Sequence, residues 1–90
     1  MLEIVSSNRF EKDLRLAKKR GYNLAHLQTV VDCLANEEKL PEKYRDHELS
    51  GEYKNFRECH IEPDWLLIYR TNKTELMLFL FRTGTHSDLF

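Results

Sequence analysis

Glycine and proline are scarce, three and two in 90 residues, which excludes collagen-like and low-complexity chains and leaves little length for irregular loops. Long apolar runs are missing as well: none approaches the roughly 18 residues that a bilayer-spanning helix needs, so no membrane association is expected. The opening stretch from Met1 to Lys12 lacks a basic segment followed by an apolar one, so no secretory leader is expected and the mature chain is expected to begin here. The two cysteines, Cys33 and Cys59, are too few for a disulfide framework, and reduced thiols in a cytoplasmic protein are the expectation. Repeats and linker-like tracts are also absent, so the chain reads as one domain over residues 1–90.

Strong charge of one sign is the last absence. The formal net charge is -1, although Lys and Arg outnumber Asp and Glu 9 to 7 in residues 1–45 and are outnumbered 5 to 8 in residues 46–90, giving halves of +2 and -3. Global charge therefore gives no support to a nucleic-acid partner, since phosphate binding is normally carried by a plain excess of Lys and Arg. Local charge has to be read separately.

What is present is patterned. Leu2 to Val5 predicts a short strand, Ser6-Ser7-Asn8 offers helix caps, and Asn8 with Glu11 has the spacing of a capping box. A helix should follow over Arg9–Arg20. Around it Phe10, Leu14 and Ala17 fall on one side, with Lys12, Arg15 and Lys19 opposite, and Gly21 ends it. Asn23 can cap a second helix in which Leu24, Leu27, Val30, Val31 and Leu34 form an apolar stripe. After the polar stretch Asn36 to Glu52, three segments rich in β-branched and aromatic residues predict strands: Phe56 to Ile61, Asp64 to Arg70 and Glu75 to Thr83. The expected fold is α+β, ordered β-α-α-β-β-β, with two antiparallel helices packed on a small, mostly antiparallel sheet.

Three of the four histidines, His47, His60 and His86, lie in the second half at or near predicted strand ends, where a sheet exposes functional groups. Taken singly, each reads equally well as an ordinary surface histidine. A metal site is disfavoured, because Cys59 and His60 are adjacent on a strand and point to opposite faces, and neither a CxxC pair nor an HExxH motif occurs. The same geometry disfavours a Cys-His nucleophilic pair, leaving Cys59 as a small packing residue. Acid/base chemistry without a cofactor remains. It suits RNA, whose 2′-hydroxyl is a built-in nucleophile once a base takes its proton, an acid protonates the leaving 5′-oxygen and a cation stabilises the charge between them. Histidine can perform either proton transfer and Arg82 offers a fork matched to phosphate. Trp65 could pack in the core or stack on an unpaired base, and Phe90 could stack likewise.

Three runs carry a resemblance: Tyr44-Arg45-Asp46-His47-Glu48-Leu49-Ser50-Gly51, Phe56 to Tyr69 with Cys59-His60-Ile61-Glu62-Pro63-Asp64-Trp65 at its centre, and Arg82-Thr83-Gly84-Thr85-His86-Ser87-Asp88-Leu89-Phe90. In order and spacing the chain resembles the YafQ branch of the RelE-type toxins, the toxin halves of bacterial type II toxin-antitoxin pairs. The resemblance implies a RelE-like microbial RNase fold and an endoribonuclease that cleaves mRNA in the ribosomal A site without metal or cofactor. It also implies inhibition by a cognate DinJ/RelB-like antitoxin, through which alone operator DNA would be bound.

Carried over to matching positions, the implied catalytic residues are His47, His60, Asp64, Arg82 and His86, with Phe90 and Trp65 as substrate-binding neighbours. His86 is expected to act as general acid, Asp64 or His60 as base with Asp64 favoured, and Arg82 as the phosphate ligand. Lys12, Arg15 and Lys19 are expected to dock on ribosomal RNA. A different class of function stays open: a RelE-fold protein that acts by binding alone, as a gyrase inhibitor or an antitoxin corepressor.

Overall fold

The computed structural model describes residues 1–90. Strand β1 (Glu3–Ser6) runs into helix α1 (Asn8–Lys19), whose N-cap is Ser7: its Oγ accepts from the Phe10 amide at 2.9 Å. The helix thus begins one residue before the expected start, and the Asn8–Glu11 capping box does not form; Glu11 instead accepts from the Ser6 hydroxyl at 2.5 Å. At the other end Gly21, at φ +79°, takes the left-handed conformation that closes the helix. Its amide reaches the Lys18 carbonyl and the Tyr22 amide reaches that of Ala17, the paired bonds of a Schellman ending. Asn23 then caps α2 (Leu24–Ala35) by accepting from the Ala25 amide.

The strands Arg57–Glu62, Trp65–Asn72 and Met77–Gly84, here β3, β4 and β5, each sit within two residues of their predicted bounds. They form antiparallel neighbours, while β1 pairs with β5 in parallel. Besides two single 3₁₀ turns, Glu42–Tyr44 and Gly51–Tyr53, two elements were not expected. His47–Glu48 forms a two-residue strand, β2, antiparallel to β3, and completes a five-stranded sheet in the order β1-β5-β4-β3-β2. After β5 the chain turns at Gly84 into a one-turn helix, α3 (His86–Leu89). Both are too short for any periodicity to announce them.

Side chains alternate across the sheet, and the two faces are filled differently. Cys59, Ile61, Trp65, Leu67, Tyr69, Leu78 and Leu80 face the helices and pack with Phe10, Ala17, Leu27, Val30 and Val31 in the main core. On the opposite face Leu66, Ile68 and Leu89 form a small second core with Leu49, Tyr53, Phe56 and Phe81. Trp65 belongs to the first group, only 2% exposed, its indole N–H donating to Thr83 Oγ1 at 2.9 Å and its ring 4.9 Å from that of Tyr22. A base cannot stack on it, so its expected substrate-binding role is corrected to a core role. Asp46 ties the polar stretch to the sheet by accepting from the Tyr69 hydroxyl and the Arg57 guanidinium.

Candidate active site

Three imidazoles converge on one buried carboxylate. Glu58 is 4% exposed and projects from β3 on the face that the two helices leave open. Its Oε1 lies 3.5 Å from His47 Nε2 and 3.7 Å from His60 Nε2. His86 joins from α3, its ring centroid 5.6 Å from that of His60. Glu58, His60 and His86 each bring a ligating atom within 4.8 Å of the others.

The far side of each ring fixes its tautomer. His47 Nδ1 meets the Arg45 carbonyl at 2.7 Å, and His60 Nδ1 meets the Pro63 carbonyl at 3.2 Å. A carbonyl only accepts, so both Nδ1 atoms carry hydrogen. His86 Nδ1 lies 2.8 Å from Asp64 Oδ1, which also accepts the His86 amide at 3.0 Å. These two bonds, the amide first, hold the Asp64 carboxyl below its ordinary range, so Asp64 is an acceptor and His86 Nδ1 a donor. In the neutral ring each Nε2 then presents a lone pair. At His60 that atom lies 3.7 Å from Glu58 Oε1.

The structure brings together four of the expected site residues, His47, His60, Asp64 and His86, and adds Glu58, which the sequence reading missed. Its signal was its place two residues before His60 on one strand, which puts both on the same face. Arg82 makes no hydrogen bond to the histidines, although the register sets it in the same cross-sheet row as Glu58. Its Nε and Nη2 bind Asp13 of α1 at 2.7 and 3.1 Å, and Asp13 also accepts from the Thr83 amide. This bidentate pair, with a lesser contribution from the nearby Tyr53 hydroxyl, raises the Arg82 pKa. Phe90 is exposed, its ring 5.4 Å from that of Tyr53, whose hydroxyl donates to the Leu89 carbonyl. Lys12, Arg15 and Lys19 are exposed on α1, outside the cluster. Cys59 is fully buried on the helix side, and burial pushes its thiol far above the ordinary range, so it offers no nucleophile.

Helix α3 holds His86 in place through several bonds at once. Thr85 and Asp88 form a capping box, and Asp88 also receives a two-pronged ion pair from Arg20 at 2.7 and 3.2 Å. The Arg20 partner holds the Asp88 carboxyl far below its ordinary range. A Cβ at Gly84 would lie 2.9 Å from the Asp88 Cβ, so only glycine permits this close turn.

The donor set also fits a transition-metal ion. Two imidazoles and a carboxylate converge, and His60 Nδ1 and His86 Nδ1 are held by a carbonyl and a carboxylate, as the rings of metal-binding histidines are.

A small α+β protein with an imidazole and carboxylate cluster on the open face of its sheet, and an arginine and an exposed aromatic near its end, has the kinds of group that acid/base chemistry on a phosphodiester requires. More narrowly, the chain belongs to the YafQ family of bacterial toxins of type II toxin-antitoxin systems, whose family model matches residues 2–90. It is 42% identical over 89 residues to the mRNA interferase toxin YafQ of Escherichia coli K12, covering 98% of this chain and 95% of that one. Its structure is similar to that of a metal-bound toxin from Helicobacter pylori, with a TM-score of 0.94, 51% identity and full coverage of both chains. It is also similar to a toxin chain in the Escherichia coli DinJ-YafQ complex, with a TM-score of 0.90, 40% identity, and 100% and 99% coverage.

Proposed function

We propose that this chain is a cytoplasmic endoribonuclease toxin that cleaves ribosome-bound mRNA in the A site and is held inactive by a DinJ/RelB-like antitoxin. The observation that carries this reading is the set of three histidines whose Nδ1 hydrogens are all committed to acceptors. Such rings are fixed in tautomer and orientation, so each can exchange a proton through Nε2 alone.

The geometry refines the expected roles. Asp64 is engaged by two donors from His86 and holds its proton less readily than an ordinary carboxylate, which makes it a weak base. It is better placed as the positioning residue of His86, whose Nε2 in the protonated ring would donate to the leaving 5′-oxygen. The base role passes to His60, whose Nδ1 is fixed by the Pro63 carbonyl and whose Nε2 lies 3.7 Å from Glu58; His47 flanks the same carboxylate from β2. Arg82, oriented by Asp13, would meet the phosphate with its guanidinium, and Phe90 would stack on a base. Lys12, Arg15 and Lys19 would steer the protein onto ribosomal RNA. Operator DNA would be reached only through the antitoxin.

Analysis of the cleaved ends tests this. Attack by the 2′-hydroxyl leaves a 2′,3′-cyclic or 3′-phosphate and a 5′-hydroxyl, in reactions that a chelator does not slow. A 5′-phosphate product would overturn the mechanism.

The convergence of Glu58, His60 and His86 favours a second reading of the same groups, in which they hold a metal ion. Such an ion would take the lone pairs that proton transfer requires, so added Zn²⁺ or Cu²⁺ should inhibit cleavage and a chelator should restore it. Stimulation by the metal would reverse the assignment.

A further inference from the structure

A cleft of about 600 Å³ opens beside the histidine cluster, and His60 is among the residues that line it. Helix α2 contributes His26, the short 3₁₀ turn before β2 contributes Lys43, Tyr44 and Arg45, and the end of β3 contributes Glu62. The one acidic member, Glu62, is engaged by His26, whose Nδ1 lies 3.1 Å from its Oε2. Lys43 and Arg45 have no carboxylate partner, whereas Arg20, Arg57 and Arg82 each have one. Two cations without an ion-pair partner therefore line a cleft that also includes His60.

The backbone at Arg45 is unusual in the same place. Its φ of 49° and ψ of 43° are left-handed, a conformation in which a long side chain is disfavoured and glycine or asparagine is at ease. The Arg45 carbonyl in that conformation is the group that orients His47. Orienting His47 needs only the backbone, which glycine would supply with less strain, so the guanidinium calls for a separate use.

We propose that this cleft is a second subsite for single-stranded RNA, holding the nucleotide next to the scissile phosphate with its phosphodiester against Lys43 and Arg45. The inference rests on the reading of the cluster as a ribonuclease site and adds to it the path of the strand. The cleft's volume lies within the range of ordinary ligand sites. A charged groove that follows the backbone, without base-specific contacts, is the usual means of gripping an unpaired strand.

The experiment is a titration of the ¹⁵N-labelled protein with a five-nucleotide RNA carrying a 2′-deoxy sugar at the cleaved position, followed by amide NMR at several salt concentrations. The amides of His26, Lys43 and Arg45 should shift together with those of His60 and His86. The double variant Lys43→Gln with Arg45→Gly deletes both cations while easing the left-handed backbone. It should bind the RNA about 10- to 100-fold more weakly, with a salt slope shallower by roughly one to two. On programmed ribosomes it should show a raised KM with kcat little changed, and an unaltered amide spectrum outside the cleft would establish that it folds. Shifts confined to His60, Asp64 and His86, or a double variant that binds and cleaves as the parent does, would overturn the subsite and leave the ribonuclease reading standing. If the RNA shifts neither the cleft nor the histidines, both fall together.

Discussion

Strand β3 presents the two faces of the sheet within four residues. Cys59 and Ile61 enter the main core beneath the helices, while Glu58 and His60, one step out of phase, look onto the open face and carry the cluster. Strand β4 repeats the division, with Trp65, Leu67 and Tyr69 on one side and Leu66 and Ile68 on the other. The two-residue period of a strand thus lets one backbone serve packing and chemistry with separate sets of side chains. Substitutions on the two faces should be separable by measurement.

The largest effect is expected on the open face. His86→Ala should slow cleavage by roughly two to four orders of magnitude, while urea denaturation stays within about 0.5 kcal/mol of the parent. A large loss of stability in this variant would break the division. On the helix face, Trp65→Ala should cost about 3 to 5 kcal/mol by urea denaturation, because it empties a buried site and removes the partner of Thr83. Whatever part of the Trp65→Ala protein is folded should retain the parent's cleavage rate; a lower rate per folded molecule would return Trp65 to the site.

Acid should distinguish the faces next. Asp64 and Asp88 both have lowered pKa values in the folded chain, so their contribution is fully present above the unfolded value of about 4 and is lost as pH falls through their folded values. Stability should therefore fall in acid below that point, and Asp88→Asn should flatten the fall. A pH profile identical in the variant would show that the α3 clasp is not what acid releases. The smallest effect is expected at Lys12, Arg15 and Lys19, whose joint charge reversal should weaken ribosome association and flatten its salt dependence without altering the chemical step. Unchanged binding would make the stripe a solubilising surface.

The helices and the three long strands were legible because their apolar residues recur at helical or strand spacing over eight or more positions in most cases. Strand β2 and helix α3 were not, since two and four residues carry no period and depend on tertiary partners such as Glu58 and Arg20. His47, His60, Asp64 and His86 were visible as residue types at strand ends. Glu58 escaped notice because a glutamate in a strand reads as solvent-facing until the structure shows it almost fully covered. Trp65 was ambiguous because an indole suits a core and a stacking platform equally, and only the Thr83 hydroxyl beneath it decides.

The turn at Gly84 has a consequence for how toxicity and folding are divided along the chain. Everything before it supplies all 16 residues of the main core, whereas the segment after it adds Leu89 to the small second core and delivers His86 and Phe90. The fold is therefore written almost entirely upstream of a single glycine, and the proposed proton donor, His86, downstream. A bulkier residue there would collide with Asp88 and push the last turn aside, yielding a folded but disarmed protein from one codon change. Such a molecule could still engage an antitoxin and draw it away from active copies. The distance between a poison and a decoy is, in this architecture, one methyl group.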